Sequence, residues 1–145
     1  MAQNDCGGVK FTSYSGAYTT SEVTLDGVKY TLYTLTGSGT LVLEGRGEAR
    51  VWSDIIAFDT SGEFIVGVYS TGSTIYAGFN MHNRCSVGAW TDVTMLAAST
   101  NHTIGLLADG TVVATGKEIS PDMGLDSWKH IAFIDTGEHH VVGLR

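Results

Sequence analysis

The tryptophans of this sequence recur at one spacing. Trp52, Trp90 and Trp128 each lie 38 residues from the next, and the chain aligns with itself at that offset without a gap. A period between roughly 20 and 50 residues is typical of solenoids, propellers and repeat arrays. The offset divides this part of the chain into units 52–89 and 90–127 and a truncated third unit, 128–145. It also superposes glycines, namely Gly67, Gly105 and Gly143, then Gly72 and Gly110, then Gly78 and Gly116.

Each unit has the pattern of short β-strands separated by tight turns. Apolar, β-branched segments such as IIAF and VTML follow the tryptophans, and two further segments of this kind complete the first two units. Asp109-Gly110 predicts a two-residue type I′ hairpin turn because glycine accepts positive φ, and Thr71-Gly72 stands at the same place one unit earlier. The 19 glycines against a single proline also favour many turns. We therefore expect an all-β fold.

The second unit carries the most regular version of the repeat. Its run His102-Thr-Ile-Gly-Leu-Leu-Ala-Asp-Gly-Thr-Val-Val-Ala-Thr-Gly116, bracketed by Trp90 and Trp128, resembles the short bacterial and phage form of the regulator of chromosome condensation repeat. The resemblance covers residues 52–145 and implies about two and a half propeller-type blades of 38 residues. The first unit departs from the pattern, with Phe64 in place of the histidine and Thr71 in place of the aspartate.

Residues 1–51 do not join the repeat. We expect a flexible N-terminal arm over residues 1–13 and a small antiparallel β module over 14–51. Residues 27–52 resemble the opening strands of tailed-bacteriophage fibre and adhesin modules, although the polyglycine region that usually follows in those modules is missing. The predicted strands are Glu22 to Leu25, Val28 to Leu35, Thr40 to Glu44 and Ala49 to Trp52, with turns at Asp26-Gly27 and Gly37-Ser38-Gly39.

The number of repeats predicts self-association. Propellers close with about four or more blades, so two and a half units would leave sheet edges and a central channel exposed. We expect a homo-oligomer, with a trimer favoured, in which a neighbouring chain completes the truncated unit.

The two resemblances together imply a non-enzymatic bacteriophage virion protein. It would be a tail fibre or tail tip adhesin that binds a host surface glycan, or a decoration protein bound to other virion proteins of the capsid or tail. Its expected location is the virion, assembled in the host cytoplasm. The alternative is a bacterial propeller-type protein-interaction module, for which guanine-nucleotide exchange is disfavoured because fold analogy alone does not support it.

Catalytic motifs are missing from the sequence. It contains no nucleophile elbow, no His-Glu-x-x-His, no phosphate-binding glycine loop and no Cys-x-x-Cys, so we expect no enzyme activity, cofactor or metal site. His139 and His140 would point to opposite faces of a strand, and His102 with His140 are repeat equivalents whose structural role is favoured. A disulfide between Cys6 and Cys85 stays open.

Charge and hydropathy limit the partners. The net charge of −7 argues against nucleic-acid binding. No basic and apolar leader precedes the first unit and no run of 18 apolar residues occurs, so we expect neither a signal peptide nor membrane insertion.

The loops that differ between units, 79–89 and 117–127, are the expected binding surfaces. Their candidate binding residues are His82, Asn83, Arg84 and Asp122, although a solvated loop would need the same residue types. The repeated tryptophans are interpreted as core or inter-repeat wedges, and a row of exposed indoles that stack on sugars is the alternative.

Overall fold

A computed structural model describes residues 10–25, 27–45, 48–61, 64–117, 119 and 123–145. These residues confirm the predicted all-β class, with ten strands in antiparallel sheets and two short 3-10 turns at Met81–Asn83 and Leu125–Ser127. The strands are β1 (Lys10–Leu25), β2 (Val28–Gly45), β3 (Glu48–Thr60), β4 (Phe64–Tyr69), β5 (Thr74–Gly78), β6 (Val93–Ala98), β7 (His102–Leu107), β8 (Val112–Gly116), β9 (Phe133–Thr136) and β10 (Val141–Leu144).

The strands follow the 38-residue period. Repeat 1 (residues 52–89) provides β4, β5 and most of β3; repeat 2 (90–127) provides β6, β7 and β8; and repeat 3 (128–145) provides β9 and β10. Every strand pairs with the next one along the chain within its repeat, so each repeat forms an antiparallel meander. The first strands β3, β6 and β9 are neighbours in space, which places the three repeats side by side.

The predicted boundary between residues 51 and 52 does not separate two sheets. Strand β3 runs through it, and a single sheet in the order β1-β2-β3-β4-β5 joins the N-terminal strands to repeat 1. The change of partner falls at Ile55, because β3 pairs with β2 from Glu48 to Ile55 and with β4 from Ile55 to Thr60. The expected arm 1–13 is also shorter in the structure, since Lys10 already lies in β1; residues 1–9 lie outside the described residues.

The predicted turn at Gly37-Ser38-Gly39 is wrong. Strand β2 continues through these residues, and the pairing with β1 shifts from Gly16↔Gly39 to Tyr18↔Leu35. One residue of β1 therefore faces three of β2, which is a β-bulge, and glycine in a strand marks a bulge as readily as a turn. Beyond the bulge, Tyr18 to Leu25 and Val28 to Leu35 form a two-stranded ribbon closed by the predicted turn, in which Gly27 has φ of +77° and Asp26 lies outside the described residues.

The core consists of three apolar clusters that lie between successive units. The first packs the N-terminal strands on repeat 1, the second packs repeat 1 on repeat 2, and the third packs repeat 2 on repeat 3. Each repeat thus buries one face against the unit before it and the other against the unit after it. Their fully or largely buried members include Leu41, Leu43, Trp52 and Ile55 in the first, Phe64, Val66, Val68, Val87, Val93 and Leu96 in the second, and Ile104, Leu106, Leu125, Ile131 and Ile134 in the third.

Candidate functional site

Each repeat tryptophan packs on a glycine of its own repeat. The benzene part of the indole lies over the glycine Cα, so a methyl group added there would come within 3.3, 3.0 and 2.5 Å of ring carbons in repeats 1, 2 and 3. All three rings belong to the apolar clusters, where Trp52 is buried and the other two are half-buried. This placement agrees with the wedge interpretation rather than with a row of exposed indoles. The pairs are Trp52 with Gly67, Trp90 with Gly105, and Trp128 with Gly143.

The hairpin glycines link one repeat to the next. Gly72 has φ of +84°, and its carbonyl accepts a hydrogen bond of 3.0 Å from the Val93 N–H. Gly110 has φ of +82° and accepts the equivalent bond from Ile131, also at 3.0 Å. A side chain at Gly72 would lie 3.0 Å from the Asp92 Cα, so glycine is needed both for its φ and for the close approach.

The predicted type I′ turn is wrong in its geometry. Gly110 N–H donates to the Leu107 carbonyl at 3.0 Å, Leu107 N–H donates to the Thr111 carbonyl at 2.9 Å, and Gly110 has positive φ where Asp109 does not. This is a three-residue loop with a left-handed glycine at its third position. Asp109 instead accepts hydrogen bonds from the Thr111 N–H and hydroxyl, which lower the pKa of its carboxyl.

Sequence reasoning missed a second left-handed position in every repeat. Asp54, Asp92 and His130 are repeat equivalents and have φ of 62°, 58° and 60°. The Asp54 carbonyl accepts the Ser70 N–H at 2.9 Å and the Asp92 carbonyl accepts the Ala108 N–H at 2.8 Å, so these residues join the start of a repeat to its hairpin. The available signal was the residue two places after each tryptophan, because Asp and His tolerate positive φ better than most residues.

His102 takes part in the contact between repeats 2 and 3. Its side chain is fully buried, and Nε2 lies 2.5 Å from the Thr136 hydroxyl. Its equivalent in repeat 1, Phe64, is also fully buried, whereas its equivalent in repeat 3, His140, is exposed together with His139. The structure thus places His102 in a packing position, as the sequence favoured.

Two aspartates meet where the first strands of the repeats lie side by side. Asp59 accepts hydrogen bonds from the Ala98 N–H at 2.7 Å and from the Thr60 N–H at 2.9 Å, so its carboxylate joins β3 to β6. Burial raises the pKa of Asp59, the two backbone N–H groups lower it, and the charge of its repeat equivalent Asp135 raises it further. In the described part of the chain no group of three or more His, Cys, Asp or Glu residues is arranged to hold a metal ion.

The predicted binding residue Arg84 lies inside the molecule. It is 5% exposed, and its Nε and Nη1 donate to the carbonyls of Phe79 at 3.1 Å and Thr100 at 3.0 Å. The guanidinium carbon also lies 5.3 Å from the centre of the Phe64 ring. Arg84 therefore ties the loop 79–89 to both repeats that it joins.

His82 and Asn83 form the exposed tip of the same loop. Both have left-handed backbones, with φ of 57° and 60°, and Met81 beside them is exposed as well. The Asn83 carbonyl accepts the Thr115 hydroxyl at 2.8 Å, which fastens the tip to β8 of repeat 2. At the base, Asn80 accepts the Cys85 N–H at 3.0 Å through Oδ1 and donates to the Ser86 hydroxyl at 2.9 Å through Nδ2.

The remaining predicted residues fall partly outside the described chain. Asp122 and Cys6 are among the residues that the structure does not describe, so the second candidate loop is represented by Leu125 and its neighbours. Cys85 is a buried free thiol, and burial raises its pKa to about 11. At neutral pH this thiol stays protonated and unreactive.

Comparison with known proteins leaves the family open. No protein-family model matches the chain, and no curated protein matches it. Among the described residues, no helix has the length and apolar character needed to span a membrane.

Proposed function

We propose that this chain is a non-enzymatic bacteriophage virion protein, a tail adhesin or a decoration protein, that assembles through its repeats and binds through the loops between them. The repeats would be propeller-type blades. The meander of each repeat and the neighbouring first strands β3, β6 and β9 support the blade arrangement, because the innermost strands of propeller blades line a common axis. The two sequence resemblances support the virion assignment.

The loop tip at His82 and Asn83 carries the binding part of the proposal. A polar tip whose conformation is already fixed loses little entropy when it binds, and this tip is held by Arg84, Asn80 and Thr115. The imidazole and amide offer hydrogen-bond donors and acceptors, and the exposed Met81 offers an apolar contact. Sugars present both hydroxyl groups and apolar C–H faces, so a host surface glycan is the ligand class that suits the tip.

A glycan array with the purified protein tests this proposal. We expect binding to a restricted set of bacterial surface glycans, and a loss of at least about tenfold in the double variant His82→Ala, Asn83→Ala, since truncating central contact residues costs 1 kcal/mol or more. The double variant Ser53→Ala, Lys129→Ala removes two exposed polar groups elsewhere and is the matched control. A protein that binds no glycan but cosediments with virions would be a decoration protein. Glycan binding that the loop variant leaves unchanged would contradict the role of the tip.

A further inference from the structure

Repeat 3 exposes a surface that the other two repeats bury. We call Phe133, Asp135, His140, Val142 and Leu144 the open face. All five residues are exposed, with exposed fractions of 50%, 56% and 63% for Phe133, Val142 and Leu144. At the equivalent positions of repeats 1 and 2 every side chain is buried or half-buried; these are Ala57, Asp59, Phe64, Val66 and Val68, and Met95, Ala97, His102, Ile104 and Leu106.

The chain itself shows how such a face is covered. Val66 and Val68 pack in the second apolar cluster against Val93 and Leu96 of repeat 2. Ile104 and Leu106 pack in the third cluster against Ile131 and Ile134 of repeat 3, which are the equivalents of Val93 and Leu96. The same apolar surface is therefore made and buried twice within one molecule, so the third occurrence has the residues of an interface rather than of a solvated surface.

A second copy cannot cover the open face with the matching surface of its own repeat 1. The equivalents of Val93 and Leu96 in that repeat are Ile55, which is fully buried, and Phe58, which is half-buried. The N-terminal strands already cover them through Leu41 and Leu43, and the Tyr14 ring lies 5.6 Å from that of Phe58. Copies therefore cannot be joined head to tail by repeating the contact between repeats.

We infer that the open face pairs with the open face of a second copy about a twofold axis. This inference rests on the oligomeric part of the proposed function and makes it more specific. The face is self-complementary in charge, because it carries an acid, Asp135, and a base, His140, beside its apolar residues. In a twofold contact the Asp135 carboxylate of one copy faces the partner's His140, and the valine, leucine and phenylalanine side chains cover each other. The threefold assembly predicted from the sequence requires two different surfaces and is a competing outcome.

Sedimentation velocity and mass measurement by light scattering test the inference on the full chain. We expect a dimer at micromolar concentration, and for Leu144→Glu a rise in the dimer dissociation constant on the order of 100-fold, as found for residues at the centre of an interface. Val51→Glu is the matched control, because Val51 is 61% exposed on β3 outside the open face. Circular dichroism and the melting temperature check that each variant is folded.

A charge exchange gives a second readout. Asp135→Lys should weaken the dimer, and Asp135→Lys combined with His140→Glu should restore it, because the exchange keeps opposite charges facing each other across the axis. A monomeric wild type, a trimer, or a dimer that Leu144→Glu leaves unchanged would each overturn the inference. A monomeric protein that still binds glycans would leave the adhesin proposal standing, and a dimer without glycan binding would do the reverse, so the two failures are distinguishable.

Discussion

The contact between each tryptophan and its glycine explains why the period is so visible in the sequence. An indole ring that lies against a Cα leaves no space for a side chain, and both residues must then recur together, 15 positions apart, as in Trp90 and Gly105. The spacing of the tryptophans alone indicated three units. The requirement for glycine at the second position was visible as a repeated residue, but the partner that imposes it becomes known only from the packed structure.

Replacing Gly105 by alanine should destabilise the fold by about 1 to 3 kcal/mol, the usual cost of overpacking a core. The added methyl group would lie 3.0 Å from two Trp90 ring carbons and 3.1 Å from Val113 Cγ2, and both neighbours are held in place. Urea unfolding followed by tryptophan fluorescence measures the change.

Gly88→Ala is the matched control for this substitution. An added methyl group at Gly88 meets nothing within 4 Å, and its φ is not positive, so stability should stay the same or rise slightly as the unfolded chain loses freedom. Equal losses of stability in the two variants would contradict the packing explanation and point to a general effect of replacing glycine.

At the scale of the strands, the sequence predicted the short apolar segments of the repeats better than the N-terminal part. Alternation of residues locates a strand, but it does not say how long a strand goes on pairing. Strand β2 passes through Gly37-Ser38-Gly39 because β1 stays beside it, and β3 passes through Trp52 because its two halves have different partners. Both features are set by tertiary contacts. The type of hairpin turn failed for a related reason, since Asp-Gly suits more than one loop geometry.

The hydrogen bond from Ala98 to Asp59 couples the first strands of repeats 1 and 2, and Asp135 of repeat 3 acts on the same carboxyl. We expect Asp135→Asn to lower the pKa of Asp59, because it removes a negative charge that disfavours ionisation. Carbon-detected NMR titration of the carboxyl groups measures this. Asp126→Asn, an exposed change elsewhere in repeat 2, should leave the Asp59 titration unaltered, and the absence of any shift in Asp135→Asn would show that the two repeats are farther apart than described.

The sign of the effect on stability follows from the raised pKa of Asp59. The folded state binds this proton more tightly than the unfolded state, so the contribution is fully present below the ordinary value of 3.8 and is lost as pH rises through the folded value. Asp59 therefore does not contribute to unfolding in acid, and Asp135→Asn should narrow the pH window over which its contribution changes.

Across the whole molecule, the repeats are covered at one end and uncovered at the other. Leu41 and Leu43 close the face of repeat 1, whereas Val142 and Leu144 of repeat 3 stay exposed. The sequence indicated self-association from the number of units but not which surface would be used, because the N-terminal strands lack the repeat pattern and give no sign that they cover repeat 1. The loop residues were found where expected, but the inward direction of Arg84 depends on the carbonyls of Phe79 and Thr100, which no spacing predicts.

The ribbon formed by Tyr18 to Leu25 and Val28 to Leu35 should be the least protected strand pair of the described chain. Its strands pair only with each other there, and isolated two-stranded hairpins are marginally stable in water. We expect its amides to exchange with deuterium on the order of 100-fold faster than those of β4 and β7, which are central strands with a buried face on either side. Mass spectrometry of peptic peptides measures the rates. Equal protection would mean that the ribbon is covered by another part of the assembly.

The identical junctions between repeats also make the molecule extensible. The contact of Gly72 with Asp92 and Val93 recurs, atom for atom, between Gly110 and His130 and Ile131, so a second copy of residues 90–127 spliced in after position 127 would find a seat at both of its ends. The N-terminal cover and the open face would stay as they are. Arrays stabilised by nearest-neighbour contacts gain stability with each unit added, so this chain offers a scaffold whose length can be set in steps of 38 residues.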